Sequence, residues 1–169
     1  MAISVTEFNV MVTEHGAAMY RLAYRLVGNR HEAEDLVQEA FRSAWKSRNL
    51  FVPDGSPRAW LAAILRRRAA DHWRRPRPPT VAGNEYNLEI ENNSDDPLRD
   101  DYTDEMQQAL SRLPNELKDT LLLVVVGELT HQEAAETLGI PLGTVLSRVS
   151  RARKRLRELL TATQNSDLN

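Results

Sequence analysis

The chain has 169 residues, 41% of them hydrophobic, which is enough for one ordinary domain or two small ones. It contains 22 Lys and Arg against 24 Asp and Glu, so its formal net charge is only −2. The absence of cysteine excludes a disulfide framework and a thiolate metal site. The N-terminus has no secretory-signal pattern, and no apolar run is long enough to span a membrane. We therefore expect a soluble, cytoplasmic protein without direct membrane insertion.

The small net charge conceals three blocks of alternating sign. Residues 58–77 hold seven Arg and one acid, residues 81–105 hold nine acids and one base, and residues 130–160 hold six Lys or Arg and three Glu. This order indicates two cation-rich modules joined by an anionic segment.

The first part of the chain predicts three helices. Apolar residues recur at three- and four-residue steps over 8–26, which is the spacing of a buried helical face. Gly28 should end this helix, and Asn29 is typical of the N-cap of the next one. Ser56-Pro57 predicts the start of a third helix, because proline at the first helical position loses no hydrogen bond.

The remainder predicts a linker followed by a second helical block. The stretch 76–101 is rich in Pro, Asn and Asp and poor in apolar residues, which is typical of a flexible acidic linker. A capping box at Thr130–Glu133, a turn at Gly139–Pro141 and a helix from about Leu142 to Leu160 make a helix-turn-helix pattern. We predict an all-α fold with a helical domain at 5–76, a linker at 77–104, a helix-turn-helix domain at 105–161 and a tail at 162–169.

The last predicted helix separates apolar from cationic residues. At about 100° per residue, one narrow arc holds Val145, Val149, Ala152 and Leu156, a neighbouring arc holds Thr144, Arg148, Arg151 and Arg155, and the side opposite the core holds Ser147 and Lys154. A helix in the major groove uses its N-terminal part for base edges, and later cations can contact phosphates. The alternative is a solvated amphipathic helix whose cations complement its C-terminal dipole. The capped helix and glycine turn before it favour DNA contact.

The first basic block, WLAAILRRRAADHWRR at 60–75, interleaves tryptophan with arginine. This mixture suits single-stranded nucleic acid, because unpaired bases stack on aromatic rings and arginine binds phosphate. The alternative is that Trp60 and Trp73 pack in the core while the arginines face solvent. Composition alone favours that alternative.

Catalysis finds little support in the sequence. The four histidines show no metal-ligand spacing, and no Gly-rich phosphate loop or Ser/His/Asp constellation is present. We expect no enzyme activity, no metal, no other cofactor and no small-molecule substrate.

Three segments in order resemble the bacterial RNA polymerase sigma factors: AEDLVQEAFRSAW at 33–45, SPRAWLAAILRRRAADHWRR at 56–75, and residues 110–159 from LSRLPNEL to RKRLREL. The resemblance spans residues 5–160 and is closest to the small extracytoplasmic-function group, which keeps only regions 2 and 4. It implies a non-catalytic subunit that binds the β′ clamp helices and β flap of core polymerase. This subunit would direct initiation at −35 and −10 promoter elements. The resemblance also implies an anti-sigma factor as partner, which could hold the chain at the membrane, and association with the nucleoid in the active state.

The resemblance assigns residues to three surfaces. The polymerase-binding surface would comprise Asp35, Leu36, Gln38, Glu39 and Phe41, of which Leu36 and Phe41 should also pack inward. The −10 DNA would be recognised and melted by Trp60, Arg66, Arg67, Asp71, Trp73, Arg74 and Arg75. The −35 DNA would be bound by Thr144, Ser147, Arg148, Arg151 and Arg155. Two positions depart from the family pattern, with Arg67 where Asn is frequent and Leu146 where Lys is frequent.

The helix-turn-helix alone would permit a different function. A two-domain regulator could bind an operator tightly as the isolated chain, without replacing a sigma factor. An enzyme or ligand-binding module built on the N-terminal helices has no supporting constellation.

Overall fold

The computed structural model describes residues 2–74, 102–166 and 168. Within these residues the chain is helical and contains no strand, which confirms the predicted all-α fold. The α-helices are α1 Val5–Val27, α2 Arg30–Lys46, α3 Pro57–Arg74, α4 Tyr102–Ser111, α5 Asn115–Val125, α6 His131–Leu138 and α7 Leu142–Ser166, and a short 3-10 helix, Arg48–Leu50, follows α2. The predicted linker lies almost wholly outside the described residues.

Helices α1, α2 and α3 form the first lobe, and its boundaries follow the local signals in the sequence. Gly28 ends α1 with a φ of 74°, which glycine adopts without steric cost. The Asn29 side chain then accepts a hydrogen bond from the Glu32 backbone N–H and caps α2, as predicted. The three helices bury a core whose largest enclosed side chains are Met19, Leu22, Val37, Leu61 and Leu65.

Helices α4 to α7 form the second lobe and contain the predicted helix-turn-helix. Gly139 ends α6 with a φ of 65°, and α7 begins three residues later. The predicted inward residues Val145, Val149 and Ala152 are buried. Helix α7 runs six residues past the predicted end at Leu160, because no glycine or proline interrupts it before Ser166.

The cap of α6 is a reciprocal capping box. The Thr130 hydroxyl accepts a hydrogen bond from the Glu133 N–H at 3.0 Å, and the Glu133 carboxylate accepts one from the Thr130 N–H at 2.9 Å. The Thr130 N–H, the largest influence, lowers the pKa of Glu133 below its usual value. Two otherwise unpaired N–H groups are satisfied at the start of the helix-turn-helix.

We expect Thr130→Ala to lower the free energy of unfolding by about 1 kcal/mol, the usual contribution of an N-cap hydroxyl. Urea denaturation followed by circular dichroism measures this change. Thr161→Ala is the matched control, because the Thr161 hydroxyl bonds only to the carbonyl of Arg157 in its own helix. An equal loss in both variants would show that the cap is not the source of the effect.

The two lobes pack against each other through α1 with α5 and α3 with α6, and their buried residues form one continuous apolar cluster. Two side chains of the second lobe bind the C-terminal end of α1. Lys118 Nζ donates to the Leu26 carbonyl at 3.1 Å, and Gln107 Nε2 donates to the Arg25 carbonyl at 3.1 Å. These carbonyls have no acceptor role within α1, and a lysine there also complements the helix dipole. Burial lowers the pKa of Lys118.

Candidate nucleic-acid interface

The middle of α3 presents the arginines predicted to contact −10 DNA. Arg67 is exposed, whereas Arg66 Nε lies 3.4 Å from a carboxylate oxygen of Asp119 in the second lobe. Asp71 lies half-exposed, with its carboxylate 4.0 Å from Arg68. Burial raises the pKa of Asp119, and the positive charge of Arg66 partly offsets that effect. The Asp119 side chain is 28% exposed, and its main cationic neighbour, Arg66, belongs to the opposite lobe.

Trp60, one of the two tryptophans of this block, packs against the core. Trp60 is partly buried against the core, and its ring centre lies 5.1 Å from that of Phe51. The packing interpretation therefore describes Trp60 in this state. Trp73 and Arg74 belong to the last turn of α3, and Arg75 lies outside the described residues.

The segment joining α2 to α3 contains exposed apolar residues that the sequence analysis missed. Leu50 is 71% exposed and Val52 is 64% exposed, next to the start of α3. Exposed side chains of this size at the edge of a basic helix are available for contact with bases or protein. A segment this short has no periodicity from which burial could be predicted. The one signal in the sequence was that apolar residues occur in a segment predicted to be a loop, where polar residues are usual.

The exposed face of α7 differs in part from the predicted one. Thr144 is partly buried, Ser147, Arg151 and Arg155 are exposed, and Arg148 is largely covered, with 19% of its side chain exposed. Arg148 Nη2 lies 3.7 Å from a carboxylate oxygen of Glu116 at the start of α5. It lies nearest to the core arc among the predicted contacts, which explains its partial burial. Arg151 is therefore better exposed for a base contact than Arg148.

Further exposed residues of α7 were not among the predicted contacts. Leu146 is 49% exposed, and Ser150 and Arg153 are exposed as well. They lie on the flank opposite Thr144 and Arg148, so the outer face of the helix is broader than the predicted cationic arc. The exposure of Ser150 could have been predicted from the 100° spacing, because that spacing places Ser150 between Ser147 and Leu146 on the outer side of the helix.

The residues predicted to bind polymerase divide between the surface and the interior of α2. Asp35 and Glu39 are exposed, Gln38 and Phe41 are partly buried, and Leu36 is buried at 5% exposure. The Phe41 ring packs edge-on against Phe8 at 6.5 Å between centres. Leu36 follows Ala33 and precedes Ala40 on the buried stripe of α2, so its position in the core follows from helical periodicity. Only the acidic members of this set form an outer face.

Residues 2–74, 102–166 and 168 contain no group of three or more His, Cys, Asp or Glu placed to hold a metal ion. No helix in these same ranges has the length and apolar character needed to cross a membrane.

Comparison with known proteins identifies the class of both lobes. Residues 11–77 match the family Sigma-70 region 2, and residues 103–156 match Sigma-70, region 4. The sigma factor SigW of Bacillus subtilis is 33% identical over 154 residues, covering 84% of this chain and 82% of that protein. SigE of Mycolicibacterium smegmatis is 33% identical over 162 residues, which cover 93% of this chain but only 63% of SigE.

The solved structures agree with these matches. Bartonella quintana RpoE, crystallised with the anti-sigma factor NepR, is 26% identical, has a TM-score of 0.71, and matches over 93% of this chain and 98% of RpoE. CnrH, solved with the cytosolic domain of CnrY, has the same TM-score at 24% identity and supports the fold alone.

The fold and the two family matches define an RNA polymerase sigma factor built from regions 2 and 4. The chain belongs to the extracytoplasmic-function group of the sigma-70 family.

Proposed function

We propose that this chain is a promoter-specificity subunit that binds core RNA polymerase and directs initiation at promoters with −35 and −10 elements. The observation that supports this most strongly is the order of two family-matched lobes, each with a basic helix, within one chain. One lobe alone would suit many DNA-binding proteins. A region 2 lobe followed by a region 4 lobe suits a subunit that contacts two separate promoter elements.

The second lobe would bind the −35 element, with α7 in the major groove of duplex DNA. Ser147 and Arg151 would approach base edges, while Arg155 would contact phosphate. A recognition helix with several cations gives salt-dependent affinity, because binding releases counterions from the DNA. The αL turn at Gly139 ends α6 and sets the direction in which the chain enters α7.

The first lobe would bind polymerase through α2 and single-stranded −10 DNA through α3 and the segment before it. Asp35 and Glu39 are the exposed acids of α2 that a basic polymerase surface would attract. Promoter melting requires only that the lobe captures unstacked bases and screens phosphates, so no covalent chemistry is needed. The protein would act as a non-catalytic subunit in the cytoplasm, associated with the nucleoid when active.

An anti-sigma factor is the proposed regulator of this activity. The support comes from Bartonella quintana RpoE, a 26% identical relative solved in complex with an anti-sigma factor. Such a partner would act by covering the polymerase-binding face of α2 or by holding the two lobes in an arrangement that cannot bind a promoter. An integral-membrane or membrane-bound inhibitor would then keep the chain at the membrane.

Reconstituted transcription tests the proposed function. The purified chain is mixed with bacterial core polymerase and genomic DNA fragments, and the 5′ ends of the transcripts are sequenced. We expect discrete start sites that share two upstream elements and are missing from the reaction with core enzyme alone. Specific duplex binding by the chain alone, with no association with core polymerase, would instead support a regulator that does not replace sigma.

A further inference from the structure

The first two turns of α7 expose two leucines beside small residues without charge. Leu146 is 49% exposed and Leu142 is 42% exposed. They are four residues apart, so they lie on the same side of the helix, about 40° from each other around its axis. The other exposed residues of these turns are Gly143, Ser147 and Ser150. The end of α7 that is proposed to approach base edges therefore has an apolar strip along one flank.

The charged residues of α7 are concentrated beyond this strip. Residues 142–150 contain one charged residue, Arg148, whose guanidinium lies 3.7 Å from the Glu116 carboxylate. After Arg151, residues 152–157 contain four Arg or Lys. Phosphates carry the negative charge of DNA, whereas base edges in the major groove present donors, acceptors and, on thymine, a methyl group. The two parts of α7 match these two kinds of DNA surface.

Gly143 provides a second observation at the same place. Its φ is not positive, and apart from the adjacent residues and the helix backbone no atom lies within 4 Å of where a Cβ would be. Glycine within a helix is less stable than alanine, because it loses more backbone entropy on folding. Position 143 lies within about 60° of both Leu146 and Ser147 around the helix. The missing side chain thus leaves space at the outer surface of α7, where a partner can approach the backbone closely.

Duplex DNA suits this surface better than a protein partner does. The centres of protein interfaces are enriched in aromatic residues and methionine. Residues 131–166, which comprise α6, the turn and α7, contain no Phe, Trp, Tyr or Met. The cations of residues 152–157 complement a polyanion, and the major groove is wide enough to admit a helix.

We propose that Leu146 determines specificity at the −35 element by contacting the 5-methyl group of a thymine in the major groove, and that Gly143 leaves the space for this approach. The methyl group distinguishes thymine from cytosine and from uracil, so an apolar side chain can select it. Leu146 and Arg151 lie on either side of Ser147 around the helix, so α7 contacts base edges on both of its flanks. This inference rests on the proposed function and adds a base-contacting residue to it.

The test uses the reconstituted holoenzyme and a promoter fragment obtained from the transcription experiment. Each thymine of the −35 element, on either strand, is replaced in turn by deoxyuridine, which removes only the methyl group. We expect a position at which this replacement weakens binding of the wild-type holoenzyme about fourfold, the contribution of one buried methyl group. With Leu146→Ala, binding to the thymine fragment should fall at least about fourfold, and deoxyuridine at that position should cause no further loss.

Val125→Ala is the matched control for loss of an exposed apolar side chain. Val125 is 51% exposed and lies at the end of α5 in the same lobe. The control holoenzyme should bind the thymine fragment as wild type does and should keep the full effect of the methyl group. Association of each variant with core polymerase is measured separately, and Leu146→Ala should leave it unchanged.

Gly143→Ala tests the space beside Leu146. It should raise the thermal unfolding midpoint of the chain, because alanine is the better helix former. It should also lower promoter affinity about tenfold, because the added methyl group occupies a closely packed contact. Gly16→Ala in α1 is the matched control, since a Cβ there also meets no atom within 4 Å. This control should raise the midpoint and leave promoter affinity unchanged.

Three results would overturn the inference: a −35 element in which no thymine methyl group affects wild-type binding, an equal methyl effect in wild type and Leu146→Ala, or loss of core polymerase binding in Leu146→Ala. The third result would assign Leu146 to a protein interface. Unchanged promoter affinity in Gly143→Ala would remove the role given to Gly143. A failure of the proposed function would appear separately, as the lack of promoter-directed transcripts from wild-type chain with core polymerase.

Discussion

Leu36→Asp is expected to unfold the first lobe. Leu36 is 5% exposed and lies within the apolar core between α1, α2 and α3. Truncation of a buried leucine alone costs about 2–5 kcal/mol, and an unpaired carboxylate in its place adds a desolvation penalty. The sum reaches the whole stability of a typical domain, about 5–15 kcal/mol. Circular dichroism at 25 °C should show the loss of helical signal that corresponds to α1, α2 and α3.

Asp35→Arg is the matched control, since it changes the neighbouring residue on the exposed side of α2. Its unfolding free energy should stay within about 0.5 kcal/mol of wild type, as for most surface substitutions. Its affinity for core polymerase should fall about tenfold, because the charge reversal replaces attraction with repulsion at a charged interface. A folded Leu36→Asp chain that loses only polymerase binding would place Leu36 on the interface rather than in the core.

Leu36 also shows that the sequence predicts helices and buried residues more completely than it predicts which residues bind a partner. Periodicity predicts the helix and the buried stripe, because both depend on residues three and four positions apart. The caps at Asn29 and Thr130 were predictable for the same reason, since each is a local contact. Which exposed residues bind a partner depends on the partner's own surface, which periodicity does not describe. The resemblance assigned the polymerase-binding residues as one group, and that group contains both the buried Leu36 and the exposed Asp35.

The contacts between the lobes could not be predicted from the sequence. Arg58 and Glu128 are 70 residues apart, and Lys118 and Leu26 are 92 apart, so no local pattern links either pair. The alternation of basic and acidic blocks indicated two cation-rich modules joined by an anionic segment, and it named no partner for any single arginine. In the structure, Arg58 and Arg66 of α3 pair with acids of the second lobe, because tertiary packing places α3 against that lobe.

Arg151→Ala is expected to have the largest effect on promoter selection among substitutions that leave the fold intact. Arg151 is exposed on the outer face of α7, four residues after Ser147, whose carbonyl lies 3.5 Å from the Arg151 Nε. This long contact leaves the guanidinium available for a bidentate bond to a guanine edge. Loss of such a bond costs about 1–3 kcal/mol, or about 5- to 150-fold in affinity. The measurement is binding of the reconstituted holoenzyme to a promoter fragment from the transcription experiment.

Arg153→Ala is the control for charge, since Arg153 is also exposed but lies about 200° away around the helix. If Arg151 contacts a base, Arg151→Ala should lower binding to the native −35 element more than binding to a scrambled one. The preference of the holoenzyme for the native element should therefore decrease. A phosphate contact predicts equal loss on both fragments and a smaller salt dependence. Arg148→Ala should resemble the phosphate case or weaken the lobe, because Glu116 already holds that guanidinium against α5. A different result would be that Arg148→Ala, and not Arg151→Ala, removes the preference for the native −35 element over the scrambled one. Arg148 would then have to leave Glu116 and contact a base when DNA binds. The residues that contact bases would in that case lie nearer to the buried side of α7 than its exposed residues indicate.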